Sequence, residues 1–160
     1  RSRAQVIAHG VAPNDPMNRG LALALRQQYP SLHKDFHHWC SQQHPRPGSA
    51  WVWSGPGGVR VVNLITQDGG YGAGGRPGRA TTHTVRESLR ALARLVQTEG
   101  FQSLAVPRLA TGAGGLTWDE VLPVIEDRLG ALGIPVYVYA EYRPGKIAHE
   151  PGAVVESRAV

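Results

Sequence analysis

The chain contains one cysteine, Cys40, and only two lysines, Lys34 and Lys146, among its 17 basic residues. A single thiol excludes an internal disulfide framework and fits a reducing compartment, so a cytoplasmic location is the expectation. The positive charge is almost entirely arginine, which bears on any mechanism that needs an amine nucleophile. No apolar run approaches the ~20 residues that span a bilayer, and no signal peptide opens the sequence, so no membrane partner is expected. With 41% hydrophobic and 18% charged residues, the composition is neither that of a disordered chain nor that of a membrane protein. At 160 residues there is room for one hydrophobic core and not two. The net charge of +5 and isoelectric point near 9.9 favour anionic partners: a nucleotide, a phosphate or a nucleic acid.

Apolar periodicity divides the chain into alternating strands and helices. Residues 5–10 (QVIAHG) read as a buried strand, bounded by the turn formers of 11–18. Leu21, Leu25 and Tyr29 define the stripe of a helix over 18–29. A second helix over 32–43 carries Phe36 and Trp39 inward until Pro45 and Pro47 stop it. Strands follow at 50–53 and 59–66, joined across a Gly/Pro turn, and a long glycine-rich loop at 68–79. Val85, Leu89, Leu92 and Val96 mark a helix over 84–98 that Gly100 ends. After a buried strand at 103–107, Thr117-Trp118-Asp119-Glu120 fits a capping box. It opens a helix with Val121, Ile125, Leu129 and Leu132 inward and Gly133 at its end. A last strand is expected at 135–140, then a polar tail over 143–160 beyond a domain of 1–142. This alternation predicts an α/β fold with a mixed, mostly parallel sheet covered on both faces, in three α/β/α layers.

The segment 107–117 (PRLATGAGGLT) follows a buried strand and runs into the capped helix. Its glycines let backbone N–H groups approach a ligand without Cβ obstruction, and a helix N-terminus adds positive potential, as a phosphate site requires. The segment is not a Walker loop, because no Gly-Lys-Ser/Thr follows; a plain strand-to-helix turn is the competing reading. The loop 11–20 also joins a strand end to a helix start. Ligands of open α/β sheets collect at the carboxyl ends of strands, so both loops are expected to face one crevice. Asn14, Asp15 and Asn18 are suited to ribose hydroxyls, or act simply as turn formers and a cap.

Taken together, 6–22 (VIAHGVAPNDPMNRGLA), 62–67 (VNLITQ) and 106–121 (VPRLATGAGGLTWDEV) resemble macrodomains. They resemble especially the branch of the terminal ADP-ribose glycohydrolase and the DNA-ADP-ribosyl antitoxin hydrolases. Gly-Gly-Leu-x-Trp, ending at Trp118, is the most specific piece, and the likeness runs from about Gln5 to Tyr139. The resemblance implies binding of ADP-ribose or an ADP-ribosylated protein or nucleic acid. It places Val11, Ala12, Met17, Asn18 and Gly20 at the distal ribose, with Thr66 at the neighbouring strand end. Arg108, Leu109, Thr111, Gly112, Ala113, Gly114, Gly115 and Leu116 belong to the pyrophosphate clamp, and Tyr139 to the adenine side. No cofactor and no metal are implied, and a monomer is the expectation.

Two departures from the family pattern stand out. Members usually begin with a strand ending in Gly-Asp that reads adenine, whereas here only Arg1–Ala4 precede Gln5. Either the sequence starts inside the family's domain, or Ala153-Val154-Val155 fills that slot. The branch's hydrolases also carry a nucleophilic lysine directly after the Ile-Thr strand end, with a partner aspartate in the clamp. By the resemblance these positions are Gln67 and Gly114. Hydrolysis would then use water, positioned by Gln67 and the ligand's phosphate, with Asp15 or Asp68 as base. Three functions follow for comparison: an ADP-ribosyl hydrolase acting on a side chain, a nucleobase or an ADP-ribose 1″-phosphate-like metabolite; a reader that binds ADP-ribose without cleaving it; and a basic nucleic-acid-binding domain. The dispersal of the arginines along the chain argues against a duplex-groove binder.

His33, His37, Cys40 and His44 recur at spacings of 4, 3 and 4, but one helix cannot wrap four ligands around an ion, so a solvated basic face is expected. His9, at a buried strand end, is expected to be a hydrogen-bonded structural histidine. Trp51 and Trp53 are expected to pack.

Overall fold

The computed structural model describes residues 6–69 and 77–139, with the backbone of 154–157. Strands β1 (Val6–Val11), β2 (Ala50–Ser54), β3 (Arg60–Ile65), β4 (Leu104–Pro107), β5 (Val136–Tyr139) and β6 (Val154–Ser157) form one sheet, in the order β2-β3-β1-β4-β5-β6. All neighbouring pairs are parallel except β2 with β3. The expected mostly parallel α/β sheet is therefore present.

Strand alternation sends side chains to opposite faces. Val6 and Ala8 of β1, with Val62 and Leu64 of β3, enter one core beneath α3 (Thr82–Glu99) and α4 (Trp118–Leu129). Ile7 and Val11, with Val61 and Ile65, meet α1 (Gly20–Gln28) and α2 (Pro30–Gln43) on the other face. The helix α3 carries Val85, Leu89, Leu92 and Val96 into the core, each burial contributing roughly 1.5–3 kcal/mol. It opens on a Thr81–Thr84 capping box and closes at Gly100 with φ 68°, a left-handed turn that suits glycine.

Several boundaries differ from those expected, each for a local reason. The first helix starts at Gly20 because Met17, at φ 49°, turns the chain before it. Its neighbour starts at Pro30, whose missing N–H and fixed φ suit a first helical position. The last helix ends at Leu129 instead of running on to Gly133; Gly133, at φ 74°, sits in the following turn, and Leu132 packs on the core from there. The segment expected as a polar tail supplies β6, paired in parallel with β5 at the sheet edge, so β5 is not the last strand.

The expected solvated face of α2 is also corrected. Cys40 is buried, and burial pushes its thiol pKa up to about 12. His37 Nε2 lies 2.7 Å from the Asp15 carbonyl, tying α2 to the first loop. The described residues contain no cluster of three or more metal-ligating side chains. Trp51 packs as expected, stacked on Trp39 at 5.2 Å, and Trp53 Nε1 donates to Asp35 at 2.8 Å. No helix among the described residues is long and apolar enough to cross a membrane.

Candidate functional site

Strands β1, β3 and β4 lie side by side and parallel, so the loops that leave their carboxyl ends emerge at one edge of the sheet. A methyl added to Gly10, at the end of β1, would lie 2.9 Å from Thr66 Oγ1 and 3.7 Å from Leu109 Cδ2. The ends of these three strands are thus in contact distance of one another. The loop 11–20 and the loop 107–117 flank this edge.

The first loop is held from within. Ala12 O accepts from Asp15 N at 3.0 Å, and Asp15 Oδ1 accepts from Met17 N at 2.9 Å. Met17 is fully buried, although its φ is positive. Arg26 Nη1 donates to Pro16 O at 2.8 Å. Val11 and Ala12 are buried, whereas Asn18 and Gly20 are exposed where the loop joins α1. Asn14 Oδ1 is buried with no hydrogen-bond partner, and a methyl on Gly69 would stand within 3 Å of the Asn14 carboxamide carbon. A side chain at 69 would have to push the Asn14 carboxamide aside, so Gly69 lets the exit of β3 lie against the first loop.

Beyond β3, Thr66 is wholly buried, its Oγ1 without a partner, while its carbonyl accepts from Thr84 Oγ1 at 2.7 Å. Gln67 is 4% exposed and forms a bridge to Ala80. Its Nε2 donates to Gly78 O at 2.9 Å, and Gly78 N donates to Asp68 O at 2.6 Å. The amide nitrogen of Gln67 therefore closes the base of the glycine-rich loop, which leaves Oε1 as the atom able to meet a water. Asp68 is exposed beside it.

The clamp folds on itself and onto that base. Leu116 N donates to Ala110 O at 3.0 Å, Gly115 N to Gly112 O at 3.1 Å, and Ala80 N to Gly114 O at 2.9 Å. Among the described residues, the N–H groups of Thr111, Gly112, Ala113 and Gly114 find no acceptor. Four successive N–H groups without an acceptor are donors that an anion could meet. Thr111 Oγ1 donates to Arg108 O at 2.9 Å, and the Arg108 guanidinium lies 5.0 Å over the Trp118 ring, a cation–π contact. Leu109 is buried and Leu116 packs on the core, anchoring the clamp at both ends. Ala110 holds φ 60°. Among the described residues, Met17 and Ala110 are two of the three non-glycine residues at positive φ, one in each loop. Such strain persists where surrounding structure imposes it, commonly at binding sites.

The helix N-terminus contributes less than the sequence suggested. The capping box is present, Thr117 Oγ1 accepting from Glu120 N at 3.2 Å. However, Asp119 and Glu120 occupy the first turn, and two carboxylates outweigh the half charge of a helix dipole. A missed residue makes up the difference. A methyl on Gly115, which has φ 80°, would lie 3.2 Å from Arg79 Nε and 3.6 Å from Nη2, so this guanidinium rests against the clamp. In the sequence Arg79 is hidden at the end of a glycine-rich stretch, and its position beside the Thr81 helix cap was the only signal.

His9 matches its expected structural role. It is 2% exposed, with Nε2 2.8 Å from Asn63 Oδ1, and burial pushes its pKa below the ordinary value. Tyr139 ends β5 at 9% exposure, packed with Ala105, Ile7 and Tyr137.

The Macro domain family matches residues 8–125, and the chain belongs to it. A DNA ADP-ribosyl glycohydrolase of Thermus aquaticus is 30% identical over 127 residues, covering 77% of this chain and 34% of the relative. The macrodomain of Thermus aquaticus DarG superposes with a TM-score of 0.71 at 26% identity, covering 88% of this chain and 90% of that one. Thermosipho africanus DarTG in complex with ADP-ribose superposes with a TM-score of 0.74 at 24% identity, covering 86% of this chain and 38% of that one. The chain spans 34% and 39% of the two curated relatives it matches.

Proposed function

We propose that this macrodomain binds ADP-ribose in the crevice between loops 11–20 and 107–117 and hydrolyses ADP-ribosyl linkages, with modified DNA as the first substrate to test. The observation that carries this reading is the run of four N–H groups at residues 111–114 without an acceptor among the described residues, in the loop that leaves the carboxyl end of β4 beside β1, whose own exit is the first loop. Such a row takes a pyrophosphate. The DNA ADP-ribosyl glycohydrolase relatives supply the substrate class.

Within this reading, the pyrophosphate occupies the 111–116 clamp and the distal ribose lies toward Asn14, Met17, Asn18 and Gly20. Tyr139 borders the adenine side. Gln67 stands where the hydrolase branch resembled here has its nucleophilic lysine, and neither Lys34 nor Lys146 lies in these loops. Cleavage therefore proceeds by water attack at the ribose C1, not through an amine adduct. Asp68, exposed at the loop base, or Asp15 takes the proton, and the Gln67 carbonyl oxygen holds the water.

A second reading, recognition without cleavage, is favoured by the engagement of the Gln67 amide nitrogen with Gly78. Titrating ADP-ribose and then measuring its release from modified DNA and modified protein separates the two. Binding with release supports the hydrolase, and binding without release on either substrate supports the reader. Absence of ADP-ribose binding overturns both.

A further inference from the structure

The cradle at 111–114 is built of neutral backbone, and the carboxylates of Asp119 and Glu120 stand at the adjacent helix start. A diphosphate arriving there needs a full positive charge, and the structure brings one from a different part of the chain. Arg79 lies against Gly115, and no carboxylate pairs with it among the described residues. Its position is fixed on both sides: Gly78 is bonded to Gln67 and Asp68, and Ala80 to Gly114. The Gln67–Ala80 bridge closes the same ring.

We infer that Arg79 is the residue that recognises the ligand's diphosphate, and that Gln67 is the positioning residue that holds it on the clamp. This rests on the placement of the pyrophosphate proposed above and assigns its charged partner. A guanidinium presents a rigid fork of donors that meets two phosphate oxygens at once, whereas a lysine meets them as a point charge. Gly115 holds φ 80°, which suits glycine, and a Cβ added there would stand 3.2 Å from Arg79 Nε, so the guanidinium would have to give by a few tenths of an ångström.

The test uses ADP and inorganic pyrophosphate as calorimetric probes alongside ADP-ribose, with thermal melting as the fold control. Arg79→Gln should weaken ADP and ADP-ribose by roughly tenfold or more, the loss of a hydrogen bond to a charged group. Arg79→Lys should recover part of that loss, and Arg79→Gln should also flatten the salt dependence of binding. Gln67→Ala should weaken ADP in the wild-type background but add nothing in an Arg79→Gln background, because its effect passes through Arg79. Unchanged ADP affinity in a folded Arg79→Gln protein overturns the inference. So does a Gln67→Ala penalty that persists without Arg79, for the positioning part. If the wild type binds ADP through Arg79 but not ADP-ribose, the proposed function fails and the anion assignment stands. If the wild type binds none of the three probes, both fall.

Discussion

Gly114 offers the sharpest test of the clamp. An added Cβ would lie 2.5 Å from Ala110 O, 2.8 Å from its Cα and 2.9 Å from its carbonyl carbon. All three atoms are backbone, so no side chain can swing aside. Ala110 is also already at φ 60°, and its carbonyl holds Leu116 N at 3.0 Å. Any side chain at 114 would therefore collide with the loop's own backbone before it reached a ligand. Gly114→Ala should therefore force the loop open, destabilising the fold by about 1–3 kcal/mol, as overpacking does. For a domain of this size that is a fall in melting temperature of roughly 2–12 °C. ADP-ribose affinity should drop by about tenfold or more, because the free N–H groups move with Ala110 and Gly115. Gly112→Ala is the control from the same loop. Nothing lies within 4 Å of its added Cβ and its φ is not positive, so stability should stay within about 0.5 kcal/mol of wild type. Calorimetry on both variants and an ADP-ribose titration decide the matter. If Gly114→Ala melts and binds as the wild type does, the packing argument for the clamp is wrong.

Three further outcomes are expected. Ala110→Gly should hold or raise the melting temperature, since relief of a left-handed alanine is worth about 1 kcal/mol, partly offset by the freer unfolded chain; a clear loss would show that the methyl is needed for packing. Burial lowers the pKa of His9 in the fold, so the unfolded chain binds its proton first. That contribution to stability is full above the ordinary value of 6.5 and declines as pH falls from there toward the lower folded value; His33, lowered mainly by partial burial, acts in the same direction. Denaturant midpoints between pH 8 and pH 5 should fall accordingly, and less steeply in His9→Asn. Finally, borohydride added during turnover should trap no protein–ribose adduct, and an adduct found by mass spectrometry on Lys34 or Lys146 would overturn the water-attack mechanism.

The sequence by itself determined the elements and the class. Short apolar runs bounded by turn residues marked β1, β3 and β4, and the 3.6-residue period marked α1, α2, α3 and α4, because each presents a continuous apolar set to the core. The glycines of 107–117, between a buried strand and a Thr-x-x-Glu cap, marked either a phosphate loop or a plain strand-to-helix turn, and only the resemblance to macrodomains favoured the first. Tertiary structure decided what lay between distant segments. It put β6 at the edge beside β5: Val154 and Val155 were visible in the sequence as a strand-like piece, but which strand they pair with was not. It turned Gln67 from a free amide into the latch on Gly78, and it buried Cys40 and spent His37 on Asp15 O where the spacing alone suggested an exposed face. It also set Arg79 on Gly115, a contact across 36 positions made by parallel strands that deliver their loops to one edge. Local pattern reports which residues face a core. Which charge faces a ligand depends on chain closure over long separations, and no periodicity records that.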